Sequence, residues 1–537
     1  MNSMLWNIFI NLVQTILHMK PKNLAAHRKY SPISQLTLPG FETPFVKQLD
    51  PENRWVKFSR IIPWDEVVSI YEKNLRSHTG RPPVNGRVVM GAMIIKHYCD
   101  FSDEETILNM QENMYMQYFC GYSSYDPTPA FDSSLFVEIR DRLGLPGISA
   151  MNEAITKAEK ASQHSIKDTR DENTPQVNDK HIENTETESR VGENADGGKV
   201  SNKGRVLYDA TVCPQEIAYP TDLNLLNDCR QKSELMIDIL YEKSDLKVKP
   251  RTYRQEARKE YLKTAQKKSK SKNETHVAVG KQLRYLKRNF GTITKLLDLR
   301  GKEMPFDTGM LKYYWVIQCC YEQQLKMYET KTHTIADRIV SIHQPHVRPI
   351  VRGKANAKVE FGSKINLSMV DGISYIDELS WDAFNEGTHL MDYIEQYKER
   401  HGFYPKEVLA DKIYCNRENR KKLKDLSIIL IAKPLGRPKA VPEQHVSPGE
   451  RNPIEGKFGQ GKRGYGMDKI RAKLKPTSEA WVAMIVLVLN LVKLAGRVPL
   501  ALVFQYRVWI KKISKKFTSL ADDLCNICTS QRFITQI

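Results

Sequence analysis

Three carboxylates in the second half of the chain occur in settings where they could do chemistry. Asp209 lies inside the strand-like run Val206–Val212, where an inward-facing carboxylate is costly unless a positive group compensates it. Asp411 ends a second strand-like run, and Glu455 follows the last one. Carboxylates that converge repel one another and need divalent cations, and such hard oxygen ligands suit Mg²⁺ or Mn²⁺ rather than zinc. Two such ions can activate a water or a 3′-hydroxyl and stabilise the leaving oxygen of a phosphodiester.

Basic residues surround Glu455. In a helix, Arg451, Glu455 and Lys462 share a face, because spacings of four and seven recur on one side. The acid is then either one half of an ordinary ion pair on a solvated helix, or a metal ligand whose basic neighbours hold a phosphate backbone. Asp209 has the alternative of a solvated strand face. Because the chain has 63 acidic residues, these positions alone decide nothing. The nearby basic residues are Arg451, Lys457, Lys462, Arg463, Lys469, Arg471 and Lys473.

The overall charge favours a polyanionic partner. The 537 residues carry a formal charge of +19, and a strongly basic chain attracts nucleic acid. Residues 247–302 hold eighteen Lys and Arg against four acids, with aromatic residues interleaved. A basic, aromatic-rich helical segment favours phosphate contacts. The alternative is a solvated helical hairpin with no ligand.

Cysteine usage and hydropathy place the chain among cytoplasmic proteins. The nine cysteines are odd in number and scattered, which predicts reduced thiols. The pair Cys525 and Cys528 lacks the second pair that a zinc site needs. Of two apolar stretches, residues 4–19 are interrupted by polar side chains. The other, Trp481–Leu494, is shorter than the ~20 residues of a membrane span and predicts a buried core helix.

Local patterns divide the chain into a helical first part, a polar linker and a mixed second part. Ser102 and Glu105 form a capping box that begins a helix at Asp103, and Asp132 begins another that ends near Gly144. Short capped helices are typical of helix-turn-helix DNA binders, but equally of a bundle that contacts no groove. Residues 162–204 are too polar to form a core and predict a flexible linker.

After the linker, the strands and helices follow the order of an RNase H-like domain. Apart from the basic helical segment, the order is strand, strand, strand, helix, strand, helix, strand, helix. In that fold two acids from adjacent strands converge with one from a helix. The predicted fold class is α/β: an RNase H-like domain with a mixed five-stranded sheet and a helical insertion, preceded by an all-α DNA-binding domain.

Around these acids the chain resembles the DDE transposases of the bacterial insertion-sequence four/five superfamily, nearest the insertion-sequence-five group. The resemblance rests on YDATVCPQEIAYPTD around Asp209, VLADKIYCNRENRKKL around Asp411 and RNPIEGKFGQGKRGYGMDKIRAKL around Glu455. It extends over about residues 51–497 without the linker. The superfamily pattern around the third acid is matched by Arg451, Glu455 and Lys462, but its tyrosine position is Pro448 here.

The resemblance implies an enzyme that binds the terminal inverted repeats of its element, cuts DNA and joins the 3′-hydroxyl to target DNA. Asp209, Asp411 and Glu455 would bind two Mg²⁺ ions, with Mn²⁺ as a substitute. The implied DNA-binding residues are Arg451, Lys462, Lys457, Arg463, Lys433 and Arg437; Glu360 and Lys364 are assigned structural roles. A homodimer in a paired-end complex and a nucleoid-associated location are expected. The alternatives are a nuclease without strand transfer and a DNA-binding relic without activity.

The predicted domains follow from these boundaries. They are a lead-in (1–46), a helical DNA-binding domain (47–161), the linker (162–204), the catalytic domain (205–497) with an insertion at about 223–340, and a tail (498–537).

Overall fold

The computed structural model describes residue 45 and residues 49–75, 84–171, 201–299, 305–351, 359–432 and 452–496. The chain divides into two compact units. One, here called the helical unit, combines residues 1–201 with residues 487–537, and the other, the sheet unit, comprises residues 202–486. The predicted tail and the predicted ligands Lys433, Arg437 and Arg451 lie outside the described residues.

The helical unit is built around aromatic side chains. Trp55, Trp64 and Phe119 are buried, and the ring of Phe119 contacts both tryptophans at centroid distances of 5.3 and 5.2 Å. The predicted capping box is confirmed, because Ser102 and Glu105 cap each other's backbone N–H at the start of a helix. The helices are α1 (Arg54–Ile61), α2 (Trp64–Lys73), α3 (Gly86–Cys99), α4 (Asp103–Glu112), α5 (Met114–Phe119) and α6 (Leu135–Asp171).

Helix α6 is longer than the sequence pattern predicts. The pattern predicts an end near Gly144, and Gly144 does interrupt the helix with φ +56°, a conformation that favours glycine. Pro146 sits in the first turn after this break, where its missing N–H costs nothing, and the chain resumes a helical path to Asp171. The first ten residues of the predicted flexible linker are therefore helical.

The last described helix, α14 (Lys475–Gly496), is the predicted core helix. It is the one helix within the described ranges that is long and apolar enough to cross a membrane, yet 72% of its most apolar window is buried in the protein. The prediction of a buried core helix is confirmed. Residues from Leu487 onward belong to the helical unit, where Asn490 donates a buried 2.9 Å hydrogen bond to Asn152 of α6.

The sheet unit contains a mixed sheet that is six-stranded over the described residues, so the predicted number of five was wrong. The strand order is β2-β3-β1-β5-β6, and β4 pairs with β3 as well. The extra strand is β2, which pairs with the first residues of β3. The strands are β1 (Arg205–Pro214), β2 (Arg348–Val351), β3 (Val359–Val370), β4 (Ile373–Ser380), β5 (Glu407–Leu409) and β6 (Ile429–Ile431).

The two halves of the sheet differ in strand direction. Strand β3 runs antiparallel to β1, β2 and β4, whereas β1, β5 and β6 are mutually parallel. Gly362 of β3 is required where β1 ends, because a Cβ there would lie 2.1 Å from the carbonyl oxygen of Cys213. Parallel strands need helical crossovers, and these are α11 (Leu390–His401) between β4 and β5 and α12 (Arg417–Asp425) between β5 and β6. Helix α13 (Asn452–Gly464) follows β6.

A four-helix insertion separates β1 from the rest of the sheet. It consists of α7 (Asp222–Glu242), α8 (Arg254–Ala265), α9 (Lys272–Asp298) and α10 (Thr308–Thr330). Helices α7 and α9 pack through an apolar core that includes Leu226, Ile237 and Leu286. The helices thus have a core of their own and do not depend on the sheet for burial of their apolar faces.

Candidate functional site

Strand register places Asp209 and Asp411 side by side. Leu207 of β1 is the parallel partner of Leu409 of β5, and each aspartate lies two residues farther along its own strand direction. Asp411 remains extended, with φ −75° and ψ 169°. Because side chains alternate with a period of two, equivalent positions on neighbouring parallel strands project to the same face.

The burial of the neighbouring residues shows which face of the sheet carries Asp209 and Asp411. Tyr208, Val408 and Ala410 belong to a core cluster that contains Leu390 and Ile394 of α11. The intervening residues, among them Asp209 and Asp411, therefore face the other side of the sheet. Both aspartates are half-buried. The Oδ1 atom of each accepts a hydrogen bond from the next backbone N–H, that of Ala210 at 2.9 Å and that of Lys412 at 2.7 Å.

Tyr414 ties the segment after Asp411 to the centre of the sheet. It ends a 3₁₀ turn, Lys412–Tyr414, that Asp411 caps, and its side chain is fully buried. Its hydroxyl donates a 2.5 Å hydrogen bond to Oδ1 of Asn366 on β3. Asn366 is the ladder partner of Ala210, the residue after Asp209. The contact thus reaches across β1 and fixes the Asp411 segment beside Asp209.

A second turn packs against the segment that follows Asp411. Gly387, in the 3₁₀ turn Glu386–Thr388, approaches so closely that a Cβ on it would lie 2.2 Å from the carbonyl oxygen of Ile413. The side chain of Asn419 donates to the carbonyl oxygens of Gly387 (2.6 Å) and Tyr414 (2.9 Å). The two turns therefore pack directly against each other next to Asp411.

A buried acid lies on the α11 side of this arrangement. Asp377 accepts a 2.8 Å hydrogen bond from Ser368 and a 3.4 Å one from Asn366, and pairs with Arg400 at 3.3 Å. Burial raises the pKa of Asp377 to about 7, although Arg400 opposes the rise. Burial also raises the pKa of Tyr414, to which Glu386 and Asp209 add. The Tyr414 hydroxyl therefore stays protonated as a donor.

Glu455 lies on a helix that packs against the same strand. It lies exposed in the first turn of α13, and α13 packs against β1. After α13 the chain is bridged to the end of β1, where the N–H of Ile470 donates to the carbonyl oxygen of Pro214 at 2.9 Å and the N–H of Glu216 donates to that of Ile470 at 2.9 Å. Helix α13 thus packs against β1, and the segment after it is hydrogen-bonded to the end of β1.

The predicted basic residues of α13 differ in exposure. Lys462 is half-buried and shares the face of Glu455, seven residues away, whereas Arg463 is exposed. Lys457 is only 8% exposed, because it lies on a different face from Glu455 and its stem is covered. Lys364 of β3 pairs with Glu386 at 2.8 Å.

The acids do not form a closed metal site. Within the described ranges, no three His, Cys, Asp or Glu side chains lie close enough together to hold a metal ion. The structure brings two aspartates to one side of the sheet and places Glu455 on a helix packed against the same strand. An all-carboxylate donor set on these elements suits a hard, oxygen-preferring cation such as Mg²⁺ or Mn²⁺.

Sequence reasoning missed the residues that position the acids. Tyr414, Asn366 and Asp377 are absent from the residues that the sequence singles out. A buried amide and a buried acid in strands need partners, so the polar alternation in β3 and β4 was the available signal. Their actual partners depend on strand order, which residue spacing does not give.

Two transposase models match this chain. The model described as Transposase domain (DUF772) matches residues 44–142, and that described as Transposase DDE domain matches residues 408–492. The second range contains Asp411 and Glu455, but not Asp209. The matches support a DDE transposase of the insertion-sequence four/five kind, a class that implies DNA as partner, a nuclease or transposition reaction and dependence on divalent metal.

A curated protein is similar to part of the chain. An uncharacterized protein, ORF8 in the nfe locus of Rhizobium meliloti, is 27% identical over 177 residues, which are 33% of this chain and 69% of that protein. No solved structure matches. The mixed sheet with its helices is consistent with a DDE transposase.

Proposed function

We propose that the chain is an insertion-sequence transposase that binds the terminal inverted repeats of its element, cleaves DNA hydrolytically and joins the 3′-hydroxyl ends to target DNA. The observation that carries this proposal is the register of β1 and β5. It puts Asp209 and Asp411 at equivalent positions on one face of the sheet, and Glu455 lies on α13, which packs against β1.

An RNase H-like catalytic domain is part of the proposal. It is supported by the order β4-β3-β1-β5-β6, in which the pairings are antiparallel, antiparallel, parallel and parallel. Strand β2 and the four-helix insertion are additions to that arrangement. The helical unit is proposed as the DNA-binding domain for the element ends.

In this reading Asp209, Asp411 and Glu455 bind two divalent cations, Mg²⁺ or Mn²⁺. When bound, such ions supply an activated oxygen nucleophile and stabilise the charge that develops on the leaving oxygen. The chain itself positions the acids through the β1–β5 register and the Tyr414–Asn366 hydrogen bond. Lys462 and Arg463 on α13, together with Arg451, Lys457, Lys433 and Arg437, would contact the phosphates. Two ends must be joined, so the paired-end complex is proposed as a homodimer.

The decisive experiment is cleavage of labelled DNA that carries the element's ends, in Mg²⁺ or in EDTA. Wild-type protein is expected to nick at the element boundary only with metal. Glu455→Gln is expected to lose at least 100-fold in rate, a typical loss when a group that stabilises transition-state charge is removed, and to keep its affinity for the ends. Glu418→Gln is the matched control, because Glu418 is an exposed helical glutamate whose partner is Lys422.

Three other outcomes would change the assignment. Cleavage without any joined product would indicate a nuclease without strand transfer. Binding of the ends without cleavage in any metal would indicate a DNA-binding relic. Equal nicking by wild type and Glu455→Gln would remove Glu455 from the site.

A further inference from the structure

The four-helix insertion carries an exposed basic surface, here called the arginine surface, which comprises Arg251, Arg284, Lys287, Arg288 and Lys295. Its members have their charged groups in solvent, and the structure pairs none of them with a carboxylate within the described ranges. Other basic residues of the insertion are neutralised: Lys281 pairs with Glu260, and Arg254 pairs with Asp238.

Aromatic rings gather the guanidinium groups at the centre of this surface. Arg251 and Arg288 each lie over the ring of Tyr253, at 4.5 Å from its centroid, and Arg288 also lies over Tyr285 at 5.6 Å. Tyr253 is held at φ +55°, in the left-handed region that a bulky residue rarely adopts. Two like charges over one ring repel each other, and an anion bound beside them would reduce that repulsion.

The helix backbone is open beside the same charges. Gly291 is exposed, three residues after Arg288 and four before Lys295, and a Cβ on it would meet nothing within 4 Å. A glycine inside a helix is less favourable than alanine, and no packing in the described structure requires one here. The absence of a side chain lets a ligand approach the backbone between the two basic positions.

The opposite side of these helices is rigidly packed. Arg230 of α7 is fully buried and bonds to Glu234, to Asn227 at 2.8 Å and to Gln282 of α9 at 3.1 Å. Asn289 of α9 bonds to Ser233 of α7 at 2.8 Å. These contacts fix the rotation of α9 about its axis, and therefore fix which of its residues face solvent.

We infer that the arginine surface binds the phosphate backbone of duplex DNA, independently of base sequence. The inference rests on the proposed function and adds to it a DNA contact on the insertion. Unpaired guanidinium groups are phosphate ligands. Tyr253 is already covered by two of them, so it anchors the arginines and does not stack on a base.

The test compares the salt dependence of DNA binding by two triple variants. The variant R284Q/K287Q/R288Q removes three charges from the arginine surface. The matched control K312Q/K326Q/K331Q removes three from exposed lysines at α10. Affinity is measured against KCl concentration for a duplex with an element end and for an unrelated duplex of equal length. Both variants are checked for unchanged thermal unfolding, and glutamine preserves helix propensity.

We expect the slope of log affinity against log salt to become shallower by about 2 to 3 for R284Q/K287Q/R288Q, since each phosphate contact contributes about 0.9. Affinity for both duplexes should fall by the same factor, and the control should match wild type. The variant R284K/R288K should retain the wild-type slope, because it retains the charges.

Three outcomes would overturn the inference. An unchanged slope for R284Q/K287Q/R288Q would show that the surface makes no phosphate contact, while metal-dependent nicking by the wild type would leave the proposed function standing. A loss confined to the element end would indicate base reading. If the wild type bound neither duplex, the proposed function would fail together with the inference.

Discussion

The hydroxyl group of Tyr414 positions the turn that follows Asp411. It links the turn that follows Asp411 to β3, the strand on the far side of β1, by a hydrogen bond. Under the proposed function Asp209 and Asp411 share a cation, and two carboxylates repel each other when no cation lies between them. A fixed backbone on both sides is therefore needed to hold Asp209 and Asp411 in register.

Tyr414→Phe tests this role. Removing the hydroxyl leaves Oδ1 of the buried Asn366 without that donor, which should lower the free energy of unfolding by about 1–3 kcal/mol. Nicking should require a higher Mg²⁺ concentration, because Asp411 is less well fixed. The measurements are chemical denaturation and nicking against metal concentration. Tyr404→Phe is the control, since the Tyr404 hydroxyl bonds to the surface residue Glu395; an equal metal response in both variants would exclude a positioning role.

Asp377 gives the sheet unit a pH dependence of opposite sign to that of most carboxylates. Burial raises its pKa to about 7, whereas an unfolded aspartate titrates near 3.9. The folded state therefore retains a proton that the unfolded state releases. The retained proton therefore contributes to the free energy of unfolding fully below about pH 4, and this contribution is lost as the pH rises to about 7.

The expected measurement is the free energy of unfolding of wild type and Asp377→Asn between pH 4 and 7. Wild type should lose stability relative to the variant by up to about 4 kcal/mol, because one pKa unit is about 1.4 kcal/mol. Asp382→Asn serves as the control, since that carboxylate is largely exposed. Parallel pH profiles for wild type and Asp377→Asn would show that Arg400 keeps the acid ionised.

At the scale of elements, the insertion depends on a buried ion pair between neighbouring turns of one helix. Arg230 and Glu234 of α7 are both buried, and desolvation raises the pKa of Glu234 despite the arginine. Removing one member of such a pair leaves an uncompensated charge, at a cost of about 3–5 kcal/mol.

Arg230→Met should therefore destabilise the insertion by about that amount, and the double variant R230M/E234L by clearly less, because it leaves no buried charge. Hydrogen exchange of α7 and α9 would measure the loss locally. If the double variant were as unstable as the single one, the hydrogen bonds to Asn227 and Gln282 would be the main contribution of Arg230.

The sequence predicted elements well where the signal was local and failed where the partners were distant. The strand around Asp209 and the cap at Ser102 follow from alternation and capping chemistry within a few residues. The sequence predicts that helix α6 ends near Gly144, because glycine is common at helix ends. The chain instead resumes its helical path after this residue. The pairing of Tyr414 with Asn366 lies 48 residues apart and required knowledge of the strand order. The burial of Lys457 likewise depends on what α13 packs against.

At the scale of the whole molecule, the helical unit is made from two distant parts of the chain. Residues 487–496 belong to the same unit as α1–α6, and Asn490 pairs with Asn152 inside that unit. A chain ended after Val486 should therefore have a less stable helical unit than one ended after Gly496. Limited proteolysis within α6 would measure the difference. Equal protection in the two truncated chains would show that residues 487–496 contribute nothing to the unit.

This connection has a consequence for synthesis on the ribosome. A domain usually folds as soon as its own residues emerge, but here the helical unit lacks the helical turns of residues 487–496 until the sheet unit has also been made. Chains that terminate early would carry an incomplete helical unit. If that unit recognises the element ends, prematurely released products would compete poorly for them, and the ends would be left to full-length protein.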